Sequence, residues 1–245
     1  MKVTYLTLNL KFKNIFLCMI KKFFRGIIDF ILPQVCVSCN KSCEKPGSFL
    51  CNTCSGKLDL FENSHPWRDL YISKGYINGS FSLYKFIKDT PIQRLLHSMK
   101  YEKMKSIGVT LGMEIGKYMP ADIKFDYTVP VPLHTAKSRE RTYNQSDHIC
   151  RGISRATGTE IMPNLLKRIR YTGSQTKLNK IERIENVRGA FAINEKFKGI
   201  IAGKNIIIAD DVITTGSTIL ECARVLKEND AGYVMACSAA YDALD

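Results

Sequence analysis

The chain has 245 residues, 45% apolar and 24% charged, which excludes a disordered polar tail and allows one sizeable domain plus a small module. Lysine and arginine number 36 against 23 acids, a formal net charge of +13. Such an excess suits a polyanionic partner, a phosphorylated metabolite or nucleic acid, or serves only as solubility charge.

Residues 1–32 interrupt their apolar stretches with Lys11, Lys13, Asn14, Lys21, Lys22 and Arg25. That leaves no transmembrane span, and no small-residue cleavage site follows, so the reading is cytoplasmic. Met19 is a candidate start, which would make residues 1–18 an extension. Ile20, Phe23, Phe24, Ile27, Ile28 and Ile31 recur at helical spacing over residues 19–32. They predict an amphipathic helix with a basic face, packed on the protein itself or, alternatively, lying on a membrane surface.

Five of the nine cysteines fall between Cys36 and Cys54. Cys36/Cys39 and Cys51/Cys54 are two Cys-x-x-Cys doublets, and two such knuckles make the four-thiolate cage that Zn²⁺ accepts. Paired doublets in a cytoplasmic chain favour zinc over a redox pair or disulfides. Cys43 is a fifth thiol able to replace one ligand. A shell filled by four protein ligands is structural, not catalytic.

Beyond a loop-like stretch at 61–80, which holds Trp67, strands and helices alternate. The pattern predicts a strand over 80–86, then a helix opened by Thr90 and Pro91 with Ile92, Leu95, Leu96 and Met99 on one face. A helix over 105–118, a strand over 125–133 and a helix over 144–157 closed by Gly158 follow. Next come a strand within 160–169, a basic loop over 170–188, strands over 189–193 and 205–210, a helix over 217–229 and a strand over 232–240. This order predicts an α/β domain with a mainly parallel sheet.

Residues 206–218 read IIIADDVITTGST. Four apolar residues running into charge are the carboxyl end of a buried parallel strand, the edge at which open α/β sheets bind ligands. Where the strand breaks, both Asp210 and Asp211 can reach a ligand and accept hydrogen bonds from vicinal hydroxyls. Thr214, Thr215, Gly216, Ser217 and Thr218 then offer hydroxyls, backbone N–H groups and a helix N-terminus, which suit a phosphate. Acids beside a phosphate cradle describe a sugar phosphate with free hydroxyls. Taken singly, Asp210 and Ser217 or Thr215 are also ordinary capping residues.

This segment resembles the phosphoribosyl-pyrophosphate (PRPP) motif of type I phosphoribosyltransferases. In that family the acids hold the ribose hydroxyls and the loop holds the 5′-phosphate. The cysteine cluster, YKFIKDTPIQRLLHSMKYEKMKSIG, VPVPLHTAKSRERTYNQSDHI and SQTKLNKIERIENVRGAF, in that order, make the chain similar to the ComF or GntX-like family, bacterial proteins associated with competence for DNA uptake. The resemblance covers about residues 25–240 and implies an extension over 1–32, a zinc module over 33–60 and a phosphoribosyltransferase-like domain over 61–245.

It further implies that Lys137, Arg139 and Arg141 form the pyrophosphate loop, where cations and Mg²⁺ would stabilise the leaving group. Lys100 and Tyr101 match a Lys-Tyr pair of the family, with Lys100 either a phosphate contact or a solvated helix lysine. Residues 167–188 hold seven cations, among them Lys177, Lys180 and Arg183. They read as a mobile cover over the site, as a track for single-stranded nucleic acid, or as a solvated basic face. His97, His134 and His148 fit no metal spacing, though His134 stands where a substrate could reach it, and Cys150, Cys222 and Cys237 read as core residues.

Two functional readings remain. One is a Mg²⁺–PRPP-binding phosphoribosyltransferase whose acceptor the sequence does not name. The other is a non-catalytic competence protein that binds single-stranded DNA or partners of the uptake machinery, using the PRPP pocket as a sensor or not at all. A redox protein or scaffold is disfavoured by the intact motif.

Overall fold

The computed structural model describes residues 34–61, 75–102, 104–133, 143–170 and 185–242. They fall into two units, one ending at Lys57 and the other beginning at Leu58. The second unit begins upstream of the expected residue 61 because residues 59–61 follow the first sheet strand: Lys85 N–H donates to Asp59 O, and Phe61 N–H to Leu83 O.

In the first unit, both cysteine doublets sit in backbone turns. Asn40, in the left-handed region at φ 61°, lets the chain reverse after Cys39. Asn40 N–H closes the turn on Cys36 O and Cys36 N–H bonds Lys41 O. Cys51 is the N-cap of a one-turn helix α1 (Asn52–Ser55), and the Glu44 carboxylate accepts from Asn52 N–H at its start.

The second unit contains β1 (Gly79–Lys85), α2 (Pro91–Tyr101), α3 (Lys105–Lys117), β2 (Tyr127–Pro130), α4 (Gln145–Thr157), β3 (Glu160–Ile161), β4 (Leu166–Arg168), β5 (Phe191–Ile193), β6 (Ile206–Ile213), α5 (Ser217–Lys227) and β7 (Val234–Tyr241). Five strands form one parallel sheet in the order β1-β7-β6-β2-β3. β4 and β5 form a separate antiparallel pair. The sequence led us to expect one strand within 160–169. The chain instead makes two, because Leu166–Arg168 leave the parallel sheet to pair with Phe191–Ile193.

The central strand β6 explains its own composition. Ile206, Ile207, Ile208 and Ala209 are all fully buried, since both faces of the sheet are covered. Ile206 and Ile208 share a core cluster with Ile219, Cys222, Ala223 and Leu226 of α5. Strand alternation sends Ile207 and Ala209 to the other face, which α3 and α4 cover.

Helices α3 and α4 lie unusually close. Gly108, Gly112 and Gly116 recur every four residues and so form one stripe on α3. A Cβ on Gly112 would stand 2.0 Å from Ile149 O, and one on Gly152 would stand 2.1 Å from Val109 O. Backbone meets backbone here, so only glycine fits. The contact fixes α4, whose first turn reaches the carboxyl edge of the sheet. Asn144 caps that turn: its Oδ1 accepts from Ser146 N–H and its Nδ2 donates to Val131 O, just beyond β2. The helix ends as expected at Gly158, in the left-handed region.

Candidate functional site

At the carboxyl edge of the sheet lies a cavity of about 450 Å³. It is lined by Asp210–Ile219, by Gln145 and Ser146 of α4, by Lys100 of α2 and Arg168 of β4, and by Phe86, Val131–Leu133 and Asp242. This volume is that of a small-molecule site.

Strand β6 does not break at the acids. It continues to Ile213, paired in register with β7, so Asp210 and Asp211 are strand residues, against the expected end at 210. They serve one cavity by reaching different helices. Asp210 Oδ1 accepts from Ser146 Oγ–H at 3.0 Å and from Asp211 N–H at 2.8 Å. Asp211 pairs with Lys100 Nζ at 2.9 Å, the two side chains 14% and 21% exposed. Lys100 thus stands at the cavity wall, paired with the acid pair rather than solvated.

Burial, then the adjacent Asp211 charge, pushes the Asp210 carboxyl from 3.8 up to about 7, against the opposing pull of the Asp211 N–H, Ser146 and Lys100.

After β6 the chain turns through Thr214 and Thr215 to Gly216, whose φ of 69° places it in the left-handed region and makes it the N-cap of α5. Leu220 N–H closes the first helical bond on Gly216 O, which leaves the preceding N–H groups free of intrahelical partners at the cavity wall. Thr215 Oγ1 and Ser217 Oγ stand 2.6 Å apart. Two hydroxyls, a helix N-terminus and bare backbone form a concave donor surface suited to an anion.

The lining has a definite charge balance. Among the described residues, Asp210, Asp211 and Asp242 oppose only Lys100 and Arg168. Apart from the acid pair itself, the described lining sets Lys100 and Arg168 against Asp242. Lys137, Arg139, Arg141, His134, Lys177, Lys180 and Arg183 lie outside the described residues. His97 and His148 do not line the cavity. The sequence reading missed Ser146, Gln145, Asp242 and the cavity position of Arg168, whose guanidinium stands 5.2 Å from the centre of the Phe191 ring. No local motif marks them, because each joins the site through tertiary packing.

In the first unit, the Sγ atoms of Cys36, Cys39, Cys51 and Cys54 all lie within 4.8 Å of one another, with Cys39 and Cys51 at 3.6 Å. A tetrahedral zinc with four thiolates separates its sulfurs by about 3.8 Å, so the donor set fits a structural Zn²⁺. The 3.6 Å contact is far too long for a disulfide. Against its burial, Cys36 is drawn down to about 6 by the backbone N–H groups of Cys51, Cys39 and Ser38, which favours the thiolate a metal needs. Cys43 stands outside the group of four.

A parallel sheet whose central strand carries two acids ahead of a Thr-Thr-Gly-Ser turn, with an antiparallel pair beside it, defines the larger unit as a phosphoribosyltransferase-type fold. No family profile matches the chain. Competence protein F of Haemophilus influenzae is 26% identical over 216 residues, 83% of this chain and 89% of that protein. DNA utilization protein YhgH of Escherichia coli (strain K12) is 30% identical over 155 residues, 59% of this chain. The match spans 64% of that relative's own length. Among solved structures, glutamine phosphoribosylpyrophosphate (PRPP) amidotransferase from B. subtilis is similar at 19% identity with a TM-score of 0.40, over 59% of this chain and 30% of that one. The chain is thus similar to competence-associated, ComF-like proteins. Among the described residues, no helix is long and apolar enough to cross a membrane.

Proposed function

We propose that the larger unit binds Mg²⁺–PRPP and acts in the cytoplasm in a process linked to DNA uptake. One observation carries the reading: the Asp210–Asp211 pair and the Thr214–Thr218 turn face the same cavity. Ionised carboxylates accept from the 2′ and 3′ hydroxyls of a ribose, and the α5 N-terminus with its hydroxyls takes the 5′-phosphate. The acid pair favours a ligand that brings its own cation, as a magnesium pyrophosphate does. Given an acceptor, a nucleophile would displace pyrophosphate at the ribose C1 through an oxocarbenium-like transition state. Lys137, Arg139 and Arg141 would then stabilise the leaving group.

The DNA link comes from the names Competence protein F and DNA utilization protein YhgH. It is compatible with a second role, binding single-stranded DNA, favoured by the formal net charge of +13 and the seven cations within residues 167–188. Two variants separate the roles. Asp210→Asn with Asp211→Asn abolishes PRPP binding in equilibrium dialysis and leaves DNA affinity unchanged. Neutralising Lys177, Lys180 and Arg183 weakens binding to a single-stranded oligonucleotide and flattens its salt dependence. If the acid variant binds PRPP like the parent, the site assignment is wrong.

A further inference from the structure

The acid pair is held asymmetrically. Asp210 Oδ1 takes two hydrogen bonds, and among the described residues Oδ2 takes none. The side-chain donor, Ser146, lies 64 residues away in sequence, is 3% exposed and lines the same cavity. Its place is fixed from two sides. Asn144 ties the first turn of α4 to Val131 just beyond β2, and the Gly112–Gly152 contact locks the helix axis against α3. A rigid donor on one carboxylate oxygen restricts rotation of the group and directs the other oxygen.

We propose that Ser146 is a positioning residue for Asp210, occupying Oδ1 so that Oδ2 faces the vicinal hydroxyls of the bound sugar phosphate. This rests on the ribose reading above. The groups around Asp210 are Asp211 on its own strand, Lys100 from α2, and the thiols Cys150 from α4 and Cys222 from α5. Burial pushes both thiols well above their ordinary value, so they stay neutral. Ser146, Lys100 and the Asp211 N–H favour the ionised carboxylate, and Asp211 opposes it. With both donors on Oδ1, the proton of the neutral acid sits on Oδ2, so the cavity-facing oxygen changes from donor to acceptor as the group ionises.

The test uses the zinc-loaded full chain and the variants Ser146→Ala, Ser146→Cys and Ser146→Thr. Carboxyl ¹³C NMR, which needs no ligand, follows the Asp210 titration. In Ser146→Ala the midpoint rises by about one pH unit through loss of a hydrogen bond to a charged group. Ser146→Thr restores it, and Ser146→Cys, a weak donor, falls between. In parallel, Mg²⁺–PRPP affinity at pH 7 falls about tenfold in Ser146→Ala while the melting temperature stays within a few degrees of the parent. An Ala variant with unchanged midpoint and affinity overturns the inference. A parent that binds no PRPP overturns the ribose reading instead, while a shifted midpoint would still uphold the Ser146–Asp210 link.

Discussion

Asp210 should cost the protein stability at the pH where it works. Its carboxyl is raised from 3.8 to about 7, so the folded chain holds the proton more tightly than the unfolded one. The stabilisation is fully present below about 4 and is lost as pH rises through about 7. At pH 5.5 the folded-state value lies about 1.5 units above the solution pH, worth about 2 kcal/mol, and by pH 8.5 nothing remains. Asp210→Asn removes this titration and keeps a carbonyl oxygen for the Ser146 hydroxyl. The stability of the variant relative to the parent should therefore improve by about 2 kcal/mol between pH 5.5 and pH 8.5. Urea unfolding at the two pH values, followed by circular dichroism, reads this directly. Parallel pH dependences in variant and parent would refute the reasoning, because Asp210 would then be ionised throughout.

Two further outcomes follow from the packing and the thiol cluster. Gly112→Ala places a methyl group 2.0 Å from Ile149 O, a backbone atom that cannot rotate away, so α3 and α4 must separate at a cost of about 3 kcal/mol in denaturant unfolding. Ala at exposed Gly56, whose Cβ meets only ordinary contacts, should change stability by less than about 1 kcal/mol. Cys51→Ser opens the four-thiol group: the parent should release one Zn²⁺ per chain to a chromophoric chelator on thiol modification, and the variant far less. Equal release from both would remove Cys51 from the ligand set.

Local chemistry made much of the fold legible. Pro91 after Thr90 opens α2, Gly158 in the left-handed region closes α4, and an unbroken apolar run marks the central strand. The doublet spacing identified the four cysteines that the structure gathers. Long-range packing decided the rest. The extension of β6 past its acids depends on pairing with β7, which charged residues would not suggest. The split between β3 and β4 depends on Phe191–Ile193, more than twenty residues on. Lys100 stands beside Asp211 only because α2 docks there, and Ser146 reads in sequence as an ordinary residue of a helix's first turn. The close contact between Gly112 of α3 and Gly152 of α4 joins residues forty positions apart, which no local pattern reveals.

The central claim is that the cavity takes a ribose phosphate with a divalent cation. Isothermal titration calorimetry of the zinc-loaded protein with PRPP, with and without Mg²⁺, tests it most directly. The account predicts saturable binding at one site per chain that requires Mg²⁺ and is lost in Asp210→Asn with Asp211→Asn. Absence of binding in the parent, with a folded and zinc-loaded chain, would contradict it and leave the acids and the Thr-Thr-Gly turn as architecture alone.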